Sequence, residues 1–462
     1  MISRHVLLAL ALLSCASVEV SPRAAAGAAA RSKPGKISFL DNGRIRLGVS
    51  LDVGGAITHL SKSGDASENL VNNWDWGRQV QMSHYSGPVP FVPAGATVAP
   101  EWKRLGWNPV QAGDAFRNAS KVVEHGNDGK TITIRCVPMQ WPLNNVPSEC
   151  EFRTKITLEE NTARVECTLS SKRSDRRQYP ARGQELPAVY TIGKLHRLMT
   201  YRGDKPCTGD EVTRVEKKQP HASGMPIWDY WTATENWGAL VGDDGFGVGV
   251  WNGAAMDFCG GFHGKEGAGG SYDDPTGYIA PTGSHVIDHD IEFRYSYVLI
   301  VGTVDEIRQF AVDHAPPRKK GEGPRWRFDR DDRQGWHYVN ATDAGWPVRG
   351  KLHVRLNGDD PQIIAPTTFW HADDALNLRI EAAFQTADPN AAVYFRRFGD
   401  ATFAHGKHVA FAVKGDGRYR TYEVDLASSH EYRGPMIGLR IDPTATGNPG
   451  EWVKIRSIEL AR

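Results

Sequence analysis

Apolar and polar residues alternate along most of the chain. KTITIRCV (Lys130 to Val137), ARVECTLS (Ala163 to Ser170), FGVGVWN (Phe246 to Asn252) and EFRYSYVLIV (Glu292 to Val301) repeat with a period of two, the pattern of strands with one buried face. The alternation returns in LNLRIEAAF (Leu376 to Phe384), AVYFRRF (Ala392 to Phe398), TYEVDL (Thr421 to Leu426) and WVKIRSIEL (Trp452 to Leu460), with turn residues between. TVDEIRQFAVDH (Thr303 to His314) departs from it: Val304, Ile307, Phe310 and Ala311 fall on one helical face, and Thr303 and Glu306 stand at capping-box spacing. HAPPRKKGEGPR, residues 314–325, is proline-rich, charged and nearly free of apolar residues, so it reads as a linker. The expectation is an all-β protein in two unequal parts, a large β-sandwich over residues 35–313 and a jelly-roll sandwich over 326–462. Residues 1–30 combine a basic start, an apolar run from Val6 to Leu13 and a tail of small residues, the pattern of an export signal, which implies a secreted or periplasmic protein. That run is too short to span a bilayer, and no later run reaches the length of a transmembrane segment. LLSC also offers a lipoprotein cut at Cys15; the leucine two places earlier and the alanine-rich tail favour simple secretion.

Composition narrows the partners. With 40% hydrophobic and 24% charged residues and a formal net charge of +1, the chain lacks the basic excess of a phosphate-backbone binder, which speaks against nucleic acid. The 48 glycines, 27 prolines and 14 tryptophans suit turns and aromatic-lined grooves better than a helical bundle. Cys136, Cys150, Cys167, Cys207 and Cys259 form no CxxC pair, so a zinc ribbon or a thioredoxin-like site is not expected. Neither an HExxH motif nor a GxSxG elbow occurs. Nothing in the sequence sets the oligomeric state.

NGRIRLGVSLDVGGAITHLS (Asn42 to Ser61), two strands leading into a glycine turn and a third strand, resembles the opening hairpins of galactose-mutarotase-like domains. The closing EFRYSYVLIVGT is similar to that superfamily too. The resemblance implies a concave sheet face that holds a saccharide, as epimerases, glycoside hydrolases and polysaccharide lyases use it. The asparagine-histidine-tyrosine-phenylalanine signature of the sugar epimerases is not found. WRFDRDDRQGW (Trp326 to Trp336), NGDDPQIIAP (Asn357 to Pro366), VYFRR (Val393 to Arg397) and the ending GLRIDPTATGNPGEWVKIRSIEL are similar to the carbohydrate-binding jelly rolls appended to secreted glycan-degrading enzymes. Such modules often carry a structural calcium ion, for which Asp329 and Asp442 are candidate ligands. No other cofactor is expected.

Sugar chemistry calls for flat aromatic or guanidinium surfaces, polar groups for hydroxyls, and groups that move protons. NWDWGRQVQMSHYSG supplies Trp74, Asp75, Trp76, Arg78, Gln81, His84 and Tyr85; as a strand it would put Arg78 and His84 on one face. YPARGQELPAVYTIGKLHR supplies Arg182, Glu185, Tyr190 and His196, and Pro180 and Pro187 would stiffen it as a loop around Glu185. MPIWDYWTATENWGALV adds Trp228, Asp229 and Trp231. GGFHGKEGAGGSYDDPTGYIAP, with His263, reads as a mobile glycine-rich loop and lacks the GxxxxGK[ST] of a phosphate cradle. HVIDHD sets His285 and His289 four apart beside Asp288 and Asp290, too little for a metal centre without a third, distant ligand. The expected substrate is a polysaccharide or oligosaccharide, cleaved by hydrolysis with Glu185 as acid or base and Asp229 or Asp75 as partner. A lyase would instead use Tyr190 or His196 as base beside a uronate that Arg182 or Arg78 neutralises. A non-catalytic glycan-binding or cell-envelope protein would use the same aromatics for recognition alone.

Overall fold

The computed structural model describes residues 35–65, 68–217, 228–316 and 320–462. The export signal and Cys15 lie outside the described residues, as do Met225 to Ile227 and part of the linker. The protein is all-β: every strand pair is antiparallel, and Val304–Asp313 is the one α-helix among the described residues. No helix among them is long and apolar enough to cross a membrane.

The N-terminal part packs a nine-stranded and a seven-stranded sheet face to face, with a three-stranded sheet of Ile37–Asp41, Ile45–Ser50 and Ile57–Lys62 at the start of the chain. The period-two strands supply the core between them: Phe152, Leu169 and Leu299 from the larger sheet meet Val189, Phe258 and Ile279 from the smaller. The helix Val304–Asp313 packs outside the larger sheet through Ile307 and Ala311. Its capping box is formed, Thr303 Oγ1 accepting from the Glu306 amide and the Glu306 carboxylate accepting from the Thr303 amide at 2.7 Å. The C-terminal part is a β-sandwich of two six-stranded sheets around Phe328, Ile380, Phe384, Phe395 and Ile458.

The two parts are joined by more than the linker. Val286 and Ala181 pack against the C-terminal core. Beside them a buried polar network crosses the junction: Arg333 donates to Asp343 at 2.6 Å and to Asp288 at 3.2 Å, while Gln178 donates to Asp288 at 3.0 Å and also to Asp343. Burial alone would raise the Asp288 carboxyl, but Gln178, the His289 amide and Arg333 outweigh it and hold the group below its ordinary value.

The seven-stranded sheet carries the candidate site. Its order is Asp229–Thr232, Asp257–His263, Thr276–His285, Arg182–Ile192, Gln81–Ser83, Pro109–Val110 and Met139–Gln140. Two expectations change here. The stretch around Glu185 is a central strand, not a loop; Pro187 falls in the irregularity between Glu185 and Val189, where a missing N–H interrupts no ladder bond. The glycine-rich stretch is not one loop: its two ends lie in the strands Asp257–His263 and Thr276–His285. Its connection is tied down, Ser271 donating to the Val71 carbonyl and accepting from Asn69 and Asn73.

Candidate functional site

Glu185 borders a cleft that is continuous with solvent and lined by Ser83, Tyr85, Asn108, Trp141 and Tyr190 among others. The walls follow from pairing. Ser83 stands directly opposite Glu185 on one side and Thr282 on the other, so the three side chains leave the same face of the sheet. Gln184, pointing the opposite way, holds the segment after Gln81–Ser83: its Oε1 accepts from the Tyr85 amide at 2.9 Å and its Nε2 donates to the Tyr85 carbonyl at 2.8 Å.

The Glu185 carboxyl is 7% exposed and meets phenols, not cations. Tyr85 donates its hydroxyl to Oε2 at 2.8 Å, and Tyr278 donates to Oε1. Burial pushes the Glu185 pKa up against the opposing pull of the hydrogen bonds from Tyr278, Ser83 and Tyr85, and the net direction is upward. Tyr190 lies 4.7 Å from Tyr278, ring centre to ring centre, and Trp228 lies 5.0 Å from Tyr278 on another side. Burial drives the Tyr85, Tyr190 and Tyr278 phenols well above their ordinary values, so they remain protonated donors.

A charged cluster borders this pocket. Arg78, 4% exposed, lies 3.3 Å from Asp75 and donates to Asp274 Oδ1 at 3.0 Å; His263 lies 3.1 Å from the other Asp274 oxygen. The hydrogen bond from His263, with help from Arg78 and against burial, lowers Asp274 to about 2. Asp75 Oδ1 also accepts from the amide of Gly77, which lines the cleft. A Cβ at Gly77 would come within 3.0 Å of the Trp141 ring, so glycine lets that indole close against the turn. Both Asp75 and Glu185 act electrostatically on Tyr190.

The structure thus brings Glu185, Tyr190, Asp75, Arg78 and His263 to one region, with Trp228 behind Tyr278. Trp74 and Trp76 are half-buried in the turn beside Asp75. Other candidates lie elsewhere. His84 is fully buried, edge-on to Phe152, Phe293 and Tyr295, and burial lowers it to about 3; it is a core residue, because the chain after Gln81–Ser83 turns that ring between the sheets. Alternation does the same to the stretch after Trp228: Trp231 stacks on Phe258 inside the core, and Asp229 pairs with Arg202 at 3.5 Å. His196 lies past the far end of the Glu185 strand, 3.4 Å from Asp243. Arg182 donates to the carbonyls of Ser86 and Leu105 and lies over the Tyr85 ring, bracing the cleft wall. In the C-terminal sandwich, both Asp442 oxygens are engaged by Arg440, burial raises that carboxyl to about 6, and Asp329 is exposed. These two residues do not fit a calcium site. Among the described residues the one three-ligand group of His, Cys, Asp or Glu is Asp288, His289 and Asp290, without His285, and its Asp288 is already held by Arg333.

Sequence reasoning missed Tyr278 and Trp141, and singled out Tyr85 without giving it a role. Tyr85 and Tyr278 stood inside quoted stretches, but nothing local marks a tyrosine that pairs with a carboxyl about a hundred residues away.

No protein-family model matches the chain, and no curated protein does. Among solved structures it is similar to a galactose mutarotase related enzyme from Lactobacillus acidophilus, at 13% identity over 58% of this chain and 97% of that one, TM-score 0.37. It is similar also to a galactose mutarotase-like protein from Lactobacillus casei, at 10% identity over 58% of this chain and 100% of that one, TM-score 0.35. An alpha-galactosidase from Geobacillus stearothermophilus matches at 10% identity over 58% of this chain and 41% of its own, TM-score 0.33. At these scores nothing about the reaction follows from the likeness.

Proposed function

We propose that this is an exported protein whose cleft holds a saccharide unit of a polysaccharide or oligosaccharide, and that it cleaves a glycosidic bond by hydrolysis. Glu185 is the general acid and Asp75 the second carboxyl group. The observation that supports this most is the Glu185 carboxyl itself: buried, pushed up in pKa, and held by the Tyr85 and Tyr278 hydroxyls at the floor of an open cleft. A carboxyl whose pKa burial raises, near a second one that an arginine contacts, is the arrangement that divides the roles of acid and partner. Asp75, next to Arg78 and Gly77, suits the second role, whereas Asp229 turns away from the cleft face. Trp141 offers an indole at the cleft wall for a sugar face. A lyase fits less well, since burial keeps the Tyr190 phenol protonated and Arg78 and Arg182 are already engaged.

One observation favours a second reading, a saccharide receptor without chemistry: both Glu185 oxygens already accept hydrogen bonds. The test is a panel of neutral and uronate-containing polysaccharides given to the wild type and to Glu185→Gln, following new reducing ends and unsaturated-uronate absorbance together. Hydrolysis predicts reducing ends without absorbance, reduced by at least about 100-fold in the variant. Absorbance would assign a lyase. Binding with neither signal would assign the receptor.

A further inference from the structure

The row that contains Glu185 continues beyond the cleft. Glu185 stands opposite Thr282, and Thr282 stands opposite Asp257 on the next strand, so the three side chains share one face of the seven-stranded sheet. At about 4.8 Å between strands, Asp257 lies about 10 Å from Glu185. There the C-terminal sandwich reaches the same face. Thr367 donates its hydroxyl to Asp257 Oδ2 at 2.6 Å, and Arg396 Nη2 donates to the Thr367 oxygen at 3.3 Å. Asp257, Thr367 and Arg396 are all half-buried, so a ligand can touch them.

Arg396 differs from the arginines around it. Arg397 pairs with Glu431 and Arg440 with Asp442, whereas among the described residues no carboxylate pairs with Arg396. Its Nε is buried without a hydrogen-bond partner. A guanidinium without a carboxylate partner, the hydroxyl it donates to and the carboxylate that accepts from that hydroxyl match the vicinal hydroxyls of a sugar, which both donate and accept. Tyr230, opposite Cys259 on the neighbouring strand and 42% exposed, adds a ring to the same face.

We infer that Asp257, Thr367 and Arg396 form a second sugar subsite, in which the C-terminal sandwich completes the groove that starts at Glu185. Its occupant is the same glycan chain, running across the strands, so the substrate is a polymer and not a free monosaccharide. This rests on the saccharide reading above.

The experiment uses the full chain and the polysaccharide from the panel that the wild type binds or cleaves, as the intact polymer and as its shortest bound fragment. Arg396→Ala is expected to weaken affinity for the polymer about tenfold and to leave the shortest fragment unchanged, with Arg396→Lys in between. Thr367→Val, which keeps the shape and removes the hydroxyl, is expected to give the same length-dependent loss and serves where Arg396→Ala does not fold. Equal losses on both ligands, or unchanged affinity for both, would overturn the subsite while leaving the cleft assignment intact. A wild type that binds no glycan would instead remove the saccharide reading itself.

Discussion

Glu185 is a carboxyl group whose neighbours donate hydrogen bonds to it but carry no charge to offset its own. Two phenols donate to it and no cation pairs with it among the described residues, so burial decides the balance and the pKa rises. Because the folded state then binds the proton more tightly than the unfolded chain does, Glu185 favours folding below the ordinary carboxylate range, and that contribution is lost as pH rises through the raised value. The activity of a general acid falls over the same window. Tyr85→Phe removes one donor to the ionised form, so it is expected to move the alkaline limb of the pH–rate profile further up and to cost roughly 1 kcal/mol of stability near neutral pH. A pH–rate profile and a denaturant titration check both. Glu185 could be picked out of the sequence because Pro180 and Pro187 flank it in a stretch that also holds Arg182 and Tyr190. The contacts of Tyr85 and Tyr278 with it could not, since only strand pairing brings them to the carboxyl.

At the scale of elements, patterns long enough to repeat were legible. The strands Thr131–Val137, Thr162–Ser171 and Glu292–Thr303 and the helix Val304–Asp313 each follow the alternation or the apolar face read from the chain. Gln81–Ser83, Pro109–Val110 and Met139–Gln140 were not, because two or three residues cannot show a period; they form the cleft side of the smaller sheet. The Glu185 strand was hidden by Pro187, which the sheet accommodates at an irregularity. The capping box gives a direct check. Thr303→Ala removes the acceptor of the Glu306 amide and is expected to cost about 1 kcal/mol, read as a lower midpoint in urea with an unchanged slope.

At the scale of the whole molecule, the junction supports the site from behind. The strands Arg182–Ile192 and Thr276–His285, which carry Glu185 and Tyr278, begin and end at the segments of Gln178, Ala181, Val286 and Asp288 that dock on the C-terminal sandwich. Arg333 is the centre of that contact, with both of its carboxylate partners buried. Arg333→Ala leaves Asp288 and Asp343 without their cation and is expected to cost about 3–5 kcal/mol. Calorimetry is expected to show a lower and broader transition as the two parts uncouple. The all-β class could be read from the sequence at this scale, but the junction could not: an arginine, a glutamine and two aspartates scattered over 178–343 carry no local mark of sharing one buried network.

The most direct measurement is the titration of Glu185 itself, by the infrared difference in carboxyl stretch between wild type and Glu185→Gln across pH. The expected result is a protonated carboxyl that persists above the ordinary glutamate range and disappears in the variant. A signal that titrates at or below that range would contradict it.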